Sequence, residues 1–239
     1  MELLFLETVD STNKYAKENI KNIKDQTFIY ANRQTNGRGR LERQWNSNSG
    51  DNIYASIILK PSNELKEIYS NLTQYLCLIL CNVFEEYGLN PKIKWPNDVR
   101  INRKKISGIL AESVFEKNEL KGIVLGFGII LYCKKEDLEK IDQPATSLNL
   151  ETGMEISREI FLKNVIDKFC LRYNEFIEEG FLLIREDYKK RAEFLNMPVT
   201  VRVFEKDVSG TVVDVTDKGA LKLVDENNKE HVLLIGDIL

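Results

Sequence analysis

The sequence predicts an α+β protein: a mixed, mainly antiparallel sheet covered by helices, followed by a small C-terminal β-barrel module. Three observations carry that expectation. Short runs rich in β-branched residues recur through the first half of the chain, separated by polar turns. One segment, from Leu65 to Phe84, has the three-to-four spacing of a buried helix face. After Met197-Pro198 the pattern changes to brief alternating runs joined by charged turns.

The elements follow in order. Residues 2–8 read as a first strand, because two acids interrupt the apolar run and neither a basic n-region nor a small-residue cleavage site marks a signal peptide. Asp10-Ser11-Thr12-Asn13 supplies capping oxygens for a helix to about Ile20, and 27–31 is a second strand. The polar segment 32–50 holds three glycines and few apolar side chains besides Leu41 and Trp45. A mobile, functional loop is expected there. Residues 53–59 form a third strand, after which Pro61-Ser62 opens the strongest helix, with Gly88 placed to end it. Residues 92–95, 99–101, 106–114 and 120–131 read as four more strands. Ser157 caps a helix to about Glu178, and another helix covers 183–194. The helices are expected to cover one sheet face. Strands at 199–204, 208–215, 220–224 and 231–235 make the last module, which divides the chain into domains 1–194 and 195–239.

Composition narrows the function. The 34 basic and 37 acidic side chains give a net charge of −3, which offers no general attraction to nucleic acid. The longest apolar run, 123–132, is broken by Gly126 and Gly128 and falls well short of the roughly 20 residues of a membrane span, so a soluble cytoplasmic protein is expected. Cys77, Cys81, Cys133 and Cys170 form no C-x-x-C pair. Cys77 and Cys81 sit one helical turn apart, yet with His231 the only histidine they read as buried small hydrophobes and not as metal ligands.

The chemistry concentrates in two motifs. Gly37-Arg38-Gly39-Arg40-Leu41-Glu42-Arg43-Gln44-Trp45 sets three guanidinium groups beside two glycines. Glycine permits close backbone approach to an anion, and arginine presents a planar fork to phosphate or carboxylate oxygens. A solvated basic loop is the plainer reading of that motif taken alone. Lys94-Trp95-Pro96-Asn97-Asp98 joins two strands. Its last residues are those of an ordinary turn, but Asn97 and Asp98 could also orient a divalent cation or a reacting carboxylate. Lys105, a surface lysine on the plain reading, could neutralise growing phosphate charge.

Together these motifs resemble the biotin protein ligases. Ser11-Thr12-Asn13, Gln34 with the 37–45 loop, Lys94 to Asp98, and Lys105 followed by Gly108-Ile109-Leu110-Ala111-Glu112 stand in that family's order, and Ala145-Thr146-Ser147-Leu148 and the final β module extend the likeness along the chain. The resemblance implies a class II synthetase-like catalytic domain with an SH3-like C-terminal domain. It implies a short ligase that makes biotinyl-5′-AMP from biotin and MgATP and transfers biotin to a lysine of a biotin carboxyl carrier domain. Ser11, Thr12, Asn13 and Gln34 would bind the biotin head and tail. Arg38, Gly39 and Arg40 would hold its carboxylate and the adenylate phosphate, with Lys105 meeting them from the other side. Gly126 and Gly128 would let backbone pass close to biotin. Gly37, Arg43 and Asn97 would complete the nucleotide site, Trp45 would close over adenine, and Asp98 would organise magnesium. Lys105, Arg40 and Asp98 are the expected catalytic set.

Two positions depart from the family pattern. Ile130 follows Gly126-Phe127-Gly128-Ile129 where asparagine is usual, and Glu42 places a negative charge in the loop. With Ser11 so near the start, no DNA-binding domain and no repressor activity are expected. A monomer or homodimer acting on small substrates and a carrier, away from DNA and membranes, is the expected state. The rival readings are a lipoate-type ligase and a non-catalytic biotin sensor. A dinucleotide-binding enzyme is disfavoured, because Gly126-x-Gly128 lacks a third glycine and a following helix.

Overall fold

The computed structural model describes residues 2–41, 43–47, 51–60, 68–138 and 143–239. Strands β1 (Glu2–Val9), β2 (Thr27–Gln34), β3 (Ile53–Leu59), β4 (Lys92–Lys94), β5 (Asp98–Ile101), β6 (Lys104–Glu116) and β7 (Glu119–Ile129) form one sheet in the order β1-β2-β3-β7-β6-β5-β4. Only β1 and β2 run parallel; the other neighbours are antiparallel. The hairpins are tight for a local reason. Asn102 with Arg103 and Lys117 with Asn118 adopt positive φ at their tips, the conformation that two-residue turns between twisted strands require.

Among the described residues the helices are α1 (Thr12–Asn19), α2 (Leu72–Glu86), α3 (Lys135–Leu138), α4 (Leu148–Thr152), α5 (Arg158–Glu179) and α6 (Arg185–Arg191). The Ser11 hydroxyl caps α1 by accepting from the Lys14 N–H, and Ser157 caps α5 by accepting from Ile160. α2 begins later than the spacing suggests. A 3-10 turn, Ile68–Asn71, precedes it, and Pro61, Ser62 and Leu65 lie outside the described residues, as does Glu42. The second expected helix is likewise shorter, α6 being preceded by a 3-10 turn at Gly180–Leu183.

Period two in the strands sorts the core. Ala55, Ile57 and Leu59 of β3 and Leu125, Phe127 and Ile129 of β7 pack with α2 and α5. The helices do not all cover that face. Ala16 and Ile20 of α1 pack on the other side, against Ile29, Ile58 and Val124. β3 is buried throughout because both its faces are covered. Cys77 and Cys81 are fully buried in α2, and burial pushes both thiols well above the usual range, which suits packing and not metal binding.

The last segment forms a single antiparallel sheet from β8 (Pro198–Val203), β9 (Lys206–Val215), β10 (Leu221–Val224), β11 (Glu230–Leu233) and β12 (Asp237–Ile238), in the order β11-β10-β9-β8-β12. Val201, Val212, Leu221 and Leu223 merge with the core of the first module. Polar contacts fix the junction: Asn71 donates to the Lys218 carbonyl (3.0 Å), Gln74 to the Gly219 carbonyl (2.9 Å), and Arg185 to the Val215 carbonyl (2.9 Å) and the Asp214 carboxylate (2.7 Å). Among the described residues no helix is long and apolar enough to cross a membrane.

Candidate active site

Lys94 on β4, Asp98 on β5, Gly108 on β6 and Gly128 on β7 are successive cross-strand partners. Residues directly opposite in an antiparallel ladder project to the same face, so these four form one row. Leu110, Gly126 and Ser56 make a second row two residues along. Both rows lie on the face away from α2 and α5, since the intervening Ile109, Leu125 and Phe127 point into the core. The three glycines leave a trench along this face, and three side chains lie in it. A Cβ on Gly128 would sit 2.3 Å from the Trp45 indole, one on Gly108 2.8 Å from the same ring and 2.9 Å from Lys105 Cε, and one on Gly126 1.9 Å from Asn13 Oδ1. Gly126 and Gly128, expected to let backbone pass close to biotin, make room for Asn13 and Trp45.

A cavity of about 590 Å³ runs along the trench. Every candidate residue from the sequence lines it except Gly37, which lines an adjoining cavity of about 710 Å³ between the arginine loop and the C-terminal sheet.

One end of the trench is uncharged and rich in hydrogen bonds. The Thr12 N–H (2.8 Å) and hydroxyl (3.2 Å) both donate to Gln34 Oε1, while Gln34 Nε2 donates to the Ser47 hydroxyl (2.9 Å). Asn13 Nδ2 donates to the Leu110 carbonyl (3.2 Å) and to Glu112 (2.9 Å), which also pairs with Lys17. The Ser56 hydroxyl lies 2.6 Å from Asn13 Oδ1 and 2.8 Å from Thr12 Oγ1; its single proton can serve only one of them, which leaves the other acceptor free for an incoming N–H. The amide of Gln34 is thus engaged at both ends by protein, so this side chain braces α1 and the loop. Ser47 and Ser56 were not singled out from the sequence, and Glu112 was read only as the end of the Gly108 to Glu112 motif, with no role assigned. Ser56 alone left a signal: a hydroxyl in the otherwise apolar run Ala55 to Leu59 must have a partner if buried, and it is fully buried.

The described residues of the arginine segment pair as a hairpin, with Arg38 antiparallel to Gln44. The Gly39 N–H donates to the Arg43 carbonyl (2.7 Å), the Arg43 N–H to the Arg40 carbonyl (3.1 Å) and the Trp45 N–H to the Gly37 carbonyl (3.0 Å). Gly37 is obligatory at its base, because a Cβ there would lie 2.5 Å from Ser47 Oγ and 2.6 Å from the Trp45 carbonyl oxygen. The hairpin lays Trp45 along the trench floor, with Lys105 Nζ 5.4 Å from its ring centroid, within cation–π range.

The other end of the trench is charged. Lys105 Nζ lies 2.8 Å from Asp98. Arg40 Nη1 donates to Asp237 of the C-terminal sheet (2.8 Å) and to Asn97 Oδ1 (3.3 Å), and Nη2 donates to the Gly236 carbonyl (3.1 Å). An arginine carries five N–H donors, so the bonds to Asp237, Asn97 and Gly236 leave others to meet an anion. Asn97 is held in turn by its bond to the Ile109 carbonyl (2.7 Å). Lys94, partly buried, lines the same cavity, and burial lowers its pKa below the ordinary lysine value, with Arg100 adding to the effect. Among the described residues no three metal-ligating side chains cluster. Among the described residues Asp98 and Asp237 are the side-chain carboxylates that line this end of the cavity. Ile130 is engaged through its backbone: its N–H donates to the Ile106 carbonyl (2.9 Å) and its carbonyl accepts from Leu148 (3.0 Å).

This arrangement can hold an elongated molecule with a neutral polar head at one end and an anionic group at the other. The family model of the biotin/lipoate A/B protein ligase family matches residues 5–129, and that of the biotin protein ligase C-terminal domain matches 194–239. The chain is similar to the bifunctional ligase/repressor BirA of Bacillus subtilis (strain 168), with 29% identity over 223 residues, 92% of this chain and 69% of that protein. It is similar to the biotin–[acetyl-CoA-carboxylase] ligase of Paracoccus denitrificans, with 29% identity over 226 residues, 91% of this chain and 92% of that one. Among solved structures, a biotin protein ligase from Aquifex aeolicus in complex with biotin and ATP superposes with a TM-score of 0.84 at 30% identity, covering 100% of this chain and 97% of that one.

Proposed function

From the premise that this chain belongs to the biotin/lipoate A/B protein ligase family, we propose how its residues perform the reaction of a biotin protein ligase. The enzyme forms biotinyl-5′-AMP from biotin and ATP and then transfers biotin to a lysine of a carboxyl carrier domain. The observation that carries the residue assignment is the trench itself, which leads from an uncharged hydrogen-bonding end at Asn13, Thr12 and Ser56 to a cationic end at Lys105 and Arg40.

The ureido head of biotin offers two N–H donors and one carbonyl acceptor. Asn13 Oδ1, Thr12 Oγ1 and the Ser11 hydroxyl supply partners at the uncharged end, and Gln34 with Glu112 fixes their orientation. Trp45 covers the trench between the two ends and shifts as ligand enters, giving the nucleotide an aromatic face. Arg38, Gly39 and Arg40 meet the carboxylate and phosphate from the hairpin, and Lys105 meets them from β6. In the first step a carboxylate oxygen attacks the α-phosphorus and diphosphate leaves; in the second an acceptor amine attacks the carbonyl carbon and AMP leaves. Both steps put negative charge on phosphate oxygens, so fixed cations and alignment supply most of the rate enhancement.

Magnesium fits here as a cation carried by ATP. Asp98 and Asp237 are hard oxygen donors in the cavity but too few for a resident site, so Asp98 would complete a coordination sphere made mainly of phosphate oxygens. Such an ion neutralises phosphate charge when bound. Residues 1–194 would form the catalytic domain and 195–239 an accessory one. We place the enzyme in the cytoplasm as a monomer or homodimer with no DNA-binding role, the last supported by its net charge of −3.

The test is incubation with biotin, MgATP and a carrier domain, followed by mass measurement of the carrier. A biotin adduct with AMP release is expected. Modification by lipoate under the same conditions, or biotin binding without AMP formation, would replace this reading with the lipoate-type or sensor alternative.

A further inference from the structure

The adenylation step has a leaving group that Arg40 and Lys105 do not account for. As the carboxylate oxygen bonds to the α-phosphorus, the bond from that phosphorus to the oxygen bridging to the β-phosphate breaks, and its electron pair departs with diphosphate. Charge therefore accumulates on the far side of the reacting phosphorus, away from the carboxylate. Arg40 and Lys105 each already hold a carboxylate of the protein, Asp237 and Asp98 respectively.

Lys94 is placed differently. It stands directly opposite Asp98 across the β4–β5 hairpin, at the end of the floor row that runs through Gly108 to Gly128 and so away from Asn13 and Ser56. It lines the cavity and is partly buried, whereas Arg38 and Arg43 of the hairpin are exposed to solvent. Among the described residues no hydrogen bond or ion pair engages its ammonium group; Asp98, Glu193 and Asp237 act on it only through longer-range attraction. A partly desolvated cation with no contact partner, pointing into a site for a polyanionic substrate, has a place ready for phosphate oxygens. The depressed pKa agrees, because an arriving anion would restore what burial takes from the charged form.

We propose that Lys94 binds the β- and γ-phosphates of ATP and stabilises the departing diphosphate, acting in the first half-reaction and not in the second. This rests on the reading of the chain as an adenylate-forming ligase.

The two half-reactions separate the assignment from that reading. Biotin-dependent exchange of labelled pyrophosphate into ATP reports the first, and single-turnover transfer from prepared biotinyl-AMP to a carrier domain reports the second. Lys94→Met is expected to raise the KM for ATP and the inhibition constant of pyrophosphate by about tenfold or more. It should leave transfer from preformed adenylate within about twofold of the parent. Lys94→Arg, which keeps the charge, should recover most of the exchange rate. Lys94→Gln is run alongside, and transfer from preformed adenylate certifies that whichever variant is read has folded. Unchanged pyrophosphate inhibition in a folded variant, or transfer slowed in proportion to exchange, overturns the role of Lys94. A parent chain that supports neither exchange nor transfer overturns the ligase reading instead.

Discussion

Strands β6 and β7 present two faces built from alternate residues of the same sequence. Toward α2 and α5, Ile109, Leu125, Phe127 and Ile129 are packed into the core; on the other face Gly108, Gly126 and Gly128 leave a trench occupied by Asn13, Trp45 and Lys105. The difference teaches that a two-residue period can separate stability from chemistry within a single strand. One face is filled for density and the other is kept bare so that side chains from elsewhere, and then substrate, can lie on it.

Substitutions on the two faces should have separable effects. On the core face, Phe127→Ala is expected to cost about 3–5 kcal/mol of stability, measured by urea unfolding, with little change in the biotin KM of the folded fraction. On the trench face, Lys105→Ala should slow pyrophosphate release by about 10²–10³-fold with a smaller loss of stability, the cost of leaving Asp98 without its ion-pair partner. Equal losses of stability from both variants would erase the contrast between the faces. Arg40→Gly should leave adenylate formation possible but let biotinyl-AMP escape, at a cost of about 1.5–3 kcal/mol in retention for the lost charge-assisted bonds. Equal retention of the intermediate by mutant and parent, in a filter-binding assay, would count against that role. Gly126→Ala should weaken biotin binding by about tenfold in titration calorimetry, because its methyl displaces the Asn13 carboxamide from the floor. Ser56→Ala should have the smallest effect, about 1 kcal/mol in biotin affinity, by leaving the Asn13–Thr12 pair without its shared hydroxyl.

Much of the fold was legible because its signals are local. The apolar, β-branched runs of β3, β6 and β7, the Ser11 and Ser157 caps and the long apolar face of α2 each act over one or two turns or a few strand residues. The start of α2 was misjudged because periodicity does not distinguish a 3-10 turn from the first turn of an α-helix. The side of the sheet taken by α1 was not legible either, since β2, β3 and β7 offer apolar residues on both faces. In the site, the arginine and Lys-Trp-Pro-Asn-Asp motifs could be read because their residues are close in sequence. The partners of those residues could not.

The sequence by itself determined which residues are candidates for the chemistry: the cations of the loop and Lys105, the small polar group at Ser11 to Asn13, and the glycines of β6 and β7 all stand in readable order. Only the tertiary structure decided what each of them faces. It set Asp237, nearly two hundred positions away, on Arg40; it turned Gln34 to brace Ser47; and it left Lys94 beside Asp98 with no ion-pair partner among the described residues. The physical reason is that residue type and spacing prescribe local conformation and charge. Pairing between distant groups depends on strand register and on how two modules dock, and both are settled by the packing of the whole chain.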